Sequence, residues 1–306
     1  MWHHNPQWRV PTTWRTEFNW KSLDLSPPMR RALRTAAPTG LLNAVNSGTV
    51  TALHQRYLCK PSGALTDQGR IVAISLCSLR TQCDLLGIPL RQLELSWHGR
   101  PEMALMDHLF DAPTRRVSFC EGGAILLTLY CLCFERLYRL GVEHWGGPDG
   151  ARSFMYSSII CYGYLLQRSP ELPQLMLEDI GGASEQELLA AFDIIKSWQY
   201  TDTWFPHNWF RVDRELVQAI YEVLGNKTLA QIGRIYLSDP YAFSKGWPDL
   251  TVVDPANLRM VETKTTEALH VSQLITIPIM ARDAGLAIEV VQLRAPSGAT
   301  PAKENR

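Results

Sequence analysis

At 306 residues with 46% hydrophobic content, the chain has enough apolar material for a sizeable core and one or two domains. Thirty Lys and Arg balance thirty Asp and Glu, which excludes a polybasic coat; any nucleic-acid contact has to come from local patches. No apolar run reaches about 18 residues, so neither a transmembrane helix nor a membrane partner is expected.

The first 27 residues form a Trp-rich arm. Trp2, Trp8, Trp14 and Trp20 recur every six positions. Such rings either stack on bases or pin the arm to the body, and His3 and His4 add only a weak pair of metal donors. The opening MWHHNPQWRV lacks the apolar core of a signal peptide. Seven cysteines, with no CxxC pair among them, point to reduced and mostly buried thiols in a cytoplasmic protein. Cys131 and Cys133 lie in an apolar stretch and read as core.

Residues 28–100 read as a mainly helical module. PPMRRALRTA starts a helix with Pro in its first turn. A helix over 49–57, a tight turn through Pro61–Gly63 and a further helix from Thr66 follow. The order resembles a winged helix. On one reading His54, Gln55, Arg56 and Lys60 approach DNA; on the other the module only packs.

Residues 101–240 read as a helical region. PEMALMDHLFDAPTRR is a helix ending near Pro113. SFCEGGAILLTLYCLCFERLYRLG is a longer one, expected to start at Ser118 and stop at Gly141. Its apolar residues run nearly all round, so burial is expected. Glu121 falls in its first turn, where an acid suits the helix dipole. GGPDG is a loop, 151–168 and 185–199 are helices, and an aromatic run, WQYTDTWFPHNWFRV, precedes the helix RELVQAIYEVLG.

Residues 241–294 hold the chemistry, and 295–306 are a polar tail. In GWPDLTVVD an apolar strand follows Asp249, and RMVETK is a second one ending on Glu262 and Lys264. Alternation puts Glu262 and Lys264 on one face. If Asp254, Pro255 and Asn257 turn the chain into a hairpin, Asp249 and Glu262 converge. Two such carboxylates repel unless a cation sits between them. Mg²⁺ or Mn²⁺ takes oxygen ligands and promotes phosphodiester hydrolysis, with Lys264 orienting water or neutralising developing charge. The alternative is a solvated charge pair on a surface strand. A helix over 271–284, a stop at Gly285 and a closing strand 287–293 complete the segment.

GWPDL, VETK, Gln273 and AIEVVQL together resemble the VRR-NUC branch of the PD-(D/E)xK nucleases. The resemblance implies a restriction-endonuclease-like α/β fold, a mixed sheet flanked by helices. It implies Asp249, Glu262 and the Thr263 carbonyl as metal ligands, Lys264 as a catalytic residue and Gln273 in support. Thr263 and Thr265 replace the usual valine and glycine. Upstream, Glu121-Gly122 followed by Leu126, Leu129 and Leu132 resembles a helix of Fanconi-associated nucleases, which implies Glu121 as a further metal ligand. NWFRV and VLGNKTLAQIGRIYLSDPYAFSKGWPDL extend that likeness over 101–293. Lys245, Arg115, Arg116, Arg234 and Lys227 are the cations expected to meet backbone phosphates. The implied activity is a metal-dependent DNase acting on flap, branched or duplex DNA. Its setting would be repair or an interbacterial toxin restrained by an immunity protein. The competing reading is a DNA-binding regulator with an inactive nuclease half.

Overall fold

The computed structural model describes residues 24–110, 114–147, 149, 169–199 and 212–296. The Trp arm, the helix expected over 151–168, most of the aromatic run and the end of the polar tail therefore lie outside the described residues.

At the centre is a five-stranded mixed sheet in the order β1 (Leu90–Glu94), β5 (Ala287–Arg294), β4 (Asn257–Lys264), β3 (Leu250–Asp254), β2 (Arg116–Phe119). β1 and β4 run parallel to β5, while β3 is antiparallel to both β4 and β2. β3 and β4 form the expected hairpin, closed at the Asp254–Asn257 pair around Pro255. Pro fits the first central position of such a turn because its φ is preset. LTVVD and the second half of β4 are almost wholly buried, as central strands covered on both faces must be.

In chain order the helices are α1 (Pro27–Ala36), α2 (Ser47–His54), α3 (Asp67–Ser75), α4 (Leu79–Leu86), α5 (Pro101–Leu109), α6 (Gly123–Leu132), α7 (Phe134–Trp145), α8 (Leu172–Gly182), α9 (Glu185–Gln199), α10 (Arg214–Ser238) and α11 (Val271–Asp283). α11 crosses over between the parallel strands β4 and β5, which antiparallel hairpin turns cannot join. One sheet face is closed by α5, whose Leu105 and Leu109 pack with Phe119, Leu250, Val252, Val261 and Val291. The other face carries Met260, Ile288 and Val290 into the main core with α6, α10 and α11. All ten residues of α6 are buried, as its all-round apolar pattern requires.

The structure revises three sequence expectations. The segment from Ser118 is not a helix start: Arg116–Phe119 is an edge strand on β3, and Phe119 turns inward to α5. Short apolar runs suit either element, and here sheet pairing decides. The single long helix is two, α6 and α7, broken at Cys133 (φ −102°, ψ 9°). It runs through Gly141, since an isolated glycine weakens a helix without ending it. Residues 90–94, read as part of the helical module, leave it to pair with β5 some 200 positions later.

The module itself matches its outline. α1, α2 and α3 enclose a separate core of Met29, Leu33, Leu53, Leu58 and Leu65. The wing is reduced to two isolated bridges, Leu41–Ala64 and Cys59–Leu65. α2 ends at His54, three residues before the expected Tyr57. The buried Gln82 ties this half to the catalytic half. Its amide donates to the Ile74 carbonyl (3.1 Å) and accepts from Leu269 N–H (2.8 Å) in the loop after β4. Among the described residues no helix is long and apolar enough to cross a membrane. The described cysteines, Cys131 and Cys133 included, are buried and free.

Candidate active site

The hairpin register places the first two acids. Leu250 pairs with Val261, so Asp249 stands one step further on, opposite Glu262. A hydrogen bond from Thr263 N–H to Asp249 Oδ2 (2.8 Å) locks that arrangement. Glu262 and Lys264 share the strand face as expected, and their side chains meet: Lys264 Nζ lies 2.5 Å from Glu262 Oε1. The pair is dry, with side-chain exposures of 8% for Lys264 and 0% for Glu262.

Gln273, from the first turn of α11, adds a second donor to the same oxygen, with Nε2 2.6 Å from Glu262 Oε1. Its Oε1 accepts from His270 N–H at 3.0 Å, which fixes the amide with its NH₂ toward Glu262. Thr276 anchors the helix by donating from Oγ1 to the Lys245 carbonyl (2.7 Å). Gly246 completes the junction. Its φ is +78°, and a Cβ there would lie 2.3 Å from the Ser272 backbone. Only glycine lets the GWPD turn approach the helix start this closely.

Electrostatics follow from this packing. Burial, the Glu262 charge and the Glu102 charge push the Asp249 carboxyl up to about 8, against the pull of the Thr263 N–H and Lys264. Burial likewise raises Glu262, opposed by Lys264 and Gln273. A fully buried Glu262 and a half-buried Asp249, both held above their ordinary range, form a site poised to take a proton or a cation. The decisive atom is Glu262 Oε2, which is buried with no hydrogen-bond partner. Such a lone carboxylate oxygen, next to a second carboxylate, has the oxygen-donor chemistry of a hard divalent ion. The donor set therefore fits Mg²⁺ or Mn²⁺, although no group of three His, Cys, Asp or Glu side chains among the described residues closes around one point.

Glu121 reaches this neighbourhood by an unexpected route. It precedes α6 rather than lying in its first turn, and it sits in a strand-to-helix turn with φ +48°. The N–H groups of Cys120 and Glu121 both donate to the Asp249 carbonyl at 3.1 Å. Gly122, at φ +75°, packs on the buried Trp247: a Cβ would meet the indole Cγ at 2.3 Å. The Glu121 turn is thus clamped onto the Asp249 turn, while its side chain stays exposed.

Sequence reasoning missed Glu102. It lies in the first turn of α5 and, after Glu262, is the acid whose charge acts on Asp249. An acid in a first turn ordinarily reads as a dipole partner, and nothing in its spacing singles it out.

The expected phosphate-binding cations scatter. Lys245 is exposed one residue before Gly246, over the Tyr241 ring (5.2 Å), and so borders the site. Arg115 pairs with Asp254 (2.7 Å), and Arg116 sits beside Val253. Both are at the far end of β3, roughly 15 Å from Asp249 at ~3.4 Å per residue. Arg234 and Lys227 are exposed on α10, while Arg56 and Lys60 belong to the N-terminal module.

A sheet of this order, with two carboxylates and a lysine at one end of its hairpin, defines a restriction-endonuclease-like nuclease fold. Solved structures share it. Over 89% of this chain and 49% of the other, it is similar to paFAN1 bound to DNA with a 2-nucleotide 5′ flap and a gap, at TM-score 0.56 and 20% identity. For paFAN1 bound to DNA with a 1-nucleotide 5′ flap and a gap, the values are 87%, 49%, 0.57 and 18%. The chain has a FAN1-like nuclease fold and spans about half the length of those proteins. No protein-family model matches it, and no curated protein does.

Proposed function

We propose that the chain is a Mg²⁺- or Mn²⁺-dependent DNA nuclease of the VRR-NUC type, hydrolysing phosphodiester bonds in flap, branched or duplex DNA. The observation that carries this reading is the partnerless Glu262 Oε2 in a dry pocket shared with Asp249 and Lys264. Asp249, Glu262 and the Thr263 carbonyl would hold the ion, with Glu121 reaching it by a change of rotamer. When bound, the ion supplies charge neutralisation at the phosphate and a more acidic water.

The chain's own groups do the rest. Gln273 and Lys264 both donate to Glu262 Oε1, which would leave Oε2 to take the ion. The Thr263 N–H holds Asp249 in register with Glu262. An ammonium has three donors, and Lys264 spends one on Glu262, so the others can orient the attacking water and offset charge growing on the phosphoryl oxygens. Lys245, exposed at the rim, is placed to meet a backbone phosphate, with Lys227 and Arg234 as further cations along the DNA. The flap DNA carried by both similar structures favours a repair-type substrate over a toxin's indiscriminate one.

Cleavage of labelled single-stranded, duplex, 5′-flap and four-way DNA tests the reading. Products should appear with Mg²⁺ or Mn²⁺ and vanish in excess EDTA. Equal cleavage in EDTA, or none of any substrate with either ion, would contradict it.

A further inference from the structure

The turn that closes α2 presents a side chain the fold does not need. After His54 the chain passes through Gln55 and Arg56 to Tyr57, whose φ is +59°. Leu58 N–H then reaches back to the Leu53 carbonyl at 3.0 Å, in the manner of a Schellman helix end. The left-handed position of such an end is ordinarily glycine, and a ring as bulky as tyrosine there is a conformational outlier. Burial does not compensate. Tyr57 is 78% exposed, the most exposed large hydrophobic side chain among the described residues.

The turn is nonetheless held firmly. The Tyr57 carbonyl accepts from Thr66 Oγ1 (2.7 Å), and that same oxygen caps α3 by accepting from Gly69 N–H (3.0 Å). The sequence of this module is basic. Residues 25–70 carry Arg30, Arg31, Arg34, Arg56, Lys60 and Arg70 against one acid, Asp67, in a chain that is neutral overall. Arg56 is braced on the Ala52 carbonyl (2.9 Å), and Lys60 is exposed.

We propose that Tyr57 is a stacking site for an unpaired nucleobase, with Arg56 and Lys60 meeting the adjoining phosphates. This rests on the nuclease reading and says where the unpaired arm of the DNA is gripped. An exposed aromatic ring on a fixed turn, with cations next to it in the chain, is how single strands are bound irrespective of sequence. An apolar protein partner would instead need apolar neighbours, and Gln55, Arg56 and Lys60 are not that. Strain kept at an exposed residue is the kind that function explains.

Tyr57→Gly separates the ring from the turn. Glycine relieves the positive φ, so this variant should melt no lower than the parent. In excess EDTA, fluorescence anisotropy should show it binding a 5′-flap or single-stranded oligonucleotide about ten-fold more weakly. Tyr57→Phe should bind like the parent. A 2-aminopurine placed in the unpaired arm should be quenched by the parent and the Phe variant, and not by the Gly variant. Unchanged affinity in Tyr57→Gly, an equal loss for blunt duplex, or a lowered melting temperature would overturn the proposal. The parent's Mn²⁺-dependent cleavage of blunt duplex reports on the nuclease reading separately, and the binding measurement stays readable whichever way that falls.

Discussion

Replacing Asp249 by Asn should stabilise the metal-free protein, and the gain should grow with pH. Asparagine keeps an acceptor for Thr263 N–H, which now bonds Asp249 Oδ2, so the hairpin register survives. What disappears is a charge. The folded-state carboxyl is pushed up to about 8 from an ordinary 3.8, by burial, Glu262 and Glu102. An acid with a raised folded pKa favours its protonated form in the fold. Below pH 4 it is protonated in both states and costs nothing. Between pH 4 and pH 8 the unfolded chain releases its proton more readily, so stability falls with rising pH and levels off above pH 8. At about 1.4 kcal/mol per pKa unit the ceiling is about 6 kcal/mol. Sharing of protons with Glu262 and partial solvent access reduce this, and a gain of about 2 kcal/mol for Asp249→Asn at pH 8 is expected. Urea unfolding in EDTA at pH 4, 6 and 8 measures it. A pH-independent difference, or an Asn variant less stable than the parent at pH 8, would refute the claim that Asp249 and Glu262 repel here.

Three further substitutions probe the same site. Lys264→Met should destabilise by about 3 kcal/mol at pH 8, because it strands the fully buried Glu262 charge, and by less as the pH falls, because burial raises the Glu262 carboxyl and eases its protonation; thermal melts at pH 8 and pH 5 decide it. Gln273→Ala removes one of the two donors to Glu262 Oε1 and the acceptor of the His270 N–H, and should weaken Mn²⁺ binding ten- to about a hundred-fold with only about 1 kcal/mol lost in stability, read by calorimetric titration. Gly122→Ala sets a Cβ 2.3 Å from the Trp247 ring at φ +75°; it should cost about 3 kcal/mol and loosen the Glu121 turn from Asp249, which denaturant unfolding and cleavage rates will show together.

Legibility in the sequence followed the range of the interaction. The Asp249–Glu262–Lys264 group could be read because strand alternation and a proline turn are local, and the register of one hairpin sets all three. Gln273 came from the resemblance, since its spacing from Glu262 marks nothing by itself; in the structure it donates to Glu262 Oε1. The turn carrying Glu121 reads as helix in the sequence because it runs straight into the apolar helix AILLTLYCL, and only pairing with β3, more than a hundred residues later, makes its start a strand. β1 was lost inside the helical module for the same reason: its partner β5 is remote, and parallel pairing leaves no turn to announce it. Glu102 has no local mark at all. Arg115 and Arg116 were grouped with Lys245 by charge alone, and only the strand register shows that they lie at the Asp254 end of β3, away from Asp249.

The central claim is that the lone oxygen of Glu262, beside Asp249, holds the ion on which cleavage depends. The direct test is a Mn²⁺ titration of 5′-flap cleavage by the parent and by Glu262→Gln, run side by side with thermal melts. The account predicts an about thousand-fold lower rate for Glu262→Gln at saturating Mn²⁺, as expected for several kcal/mol of lost charge stabilisation, with an intact fold. Parent-like cleavage by a folded Glu262→Gln protein would contradict it.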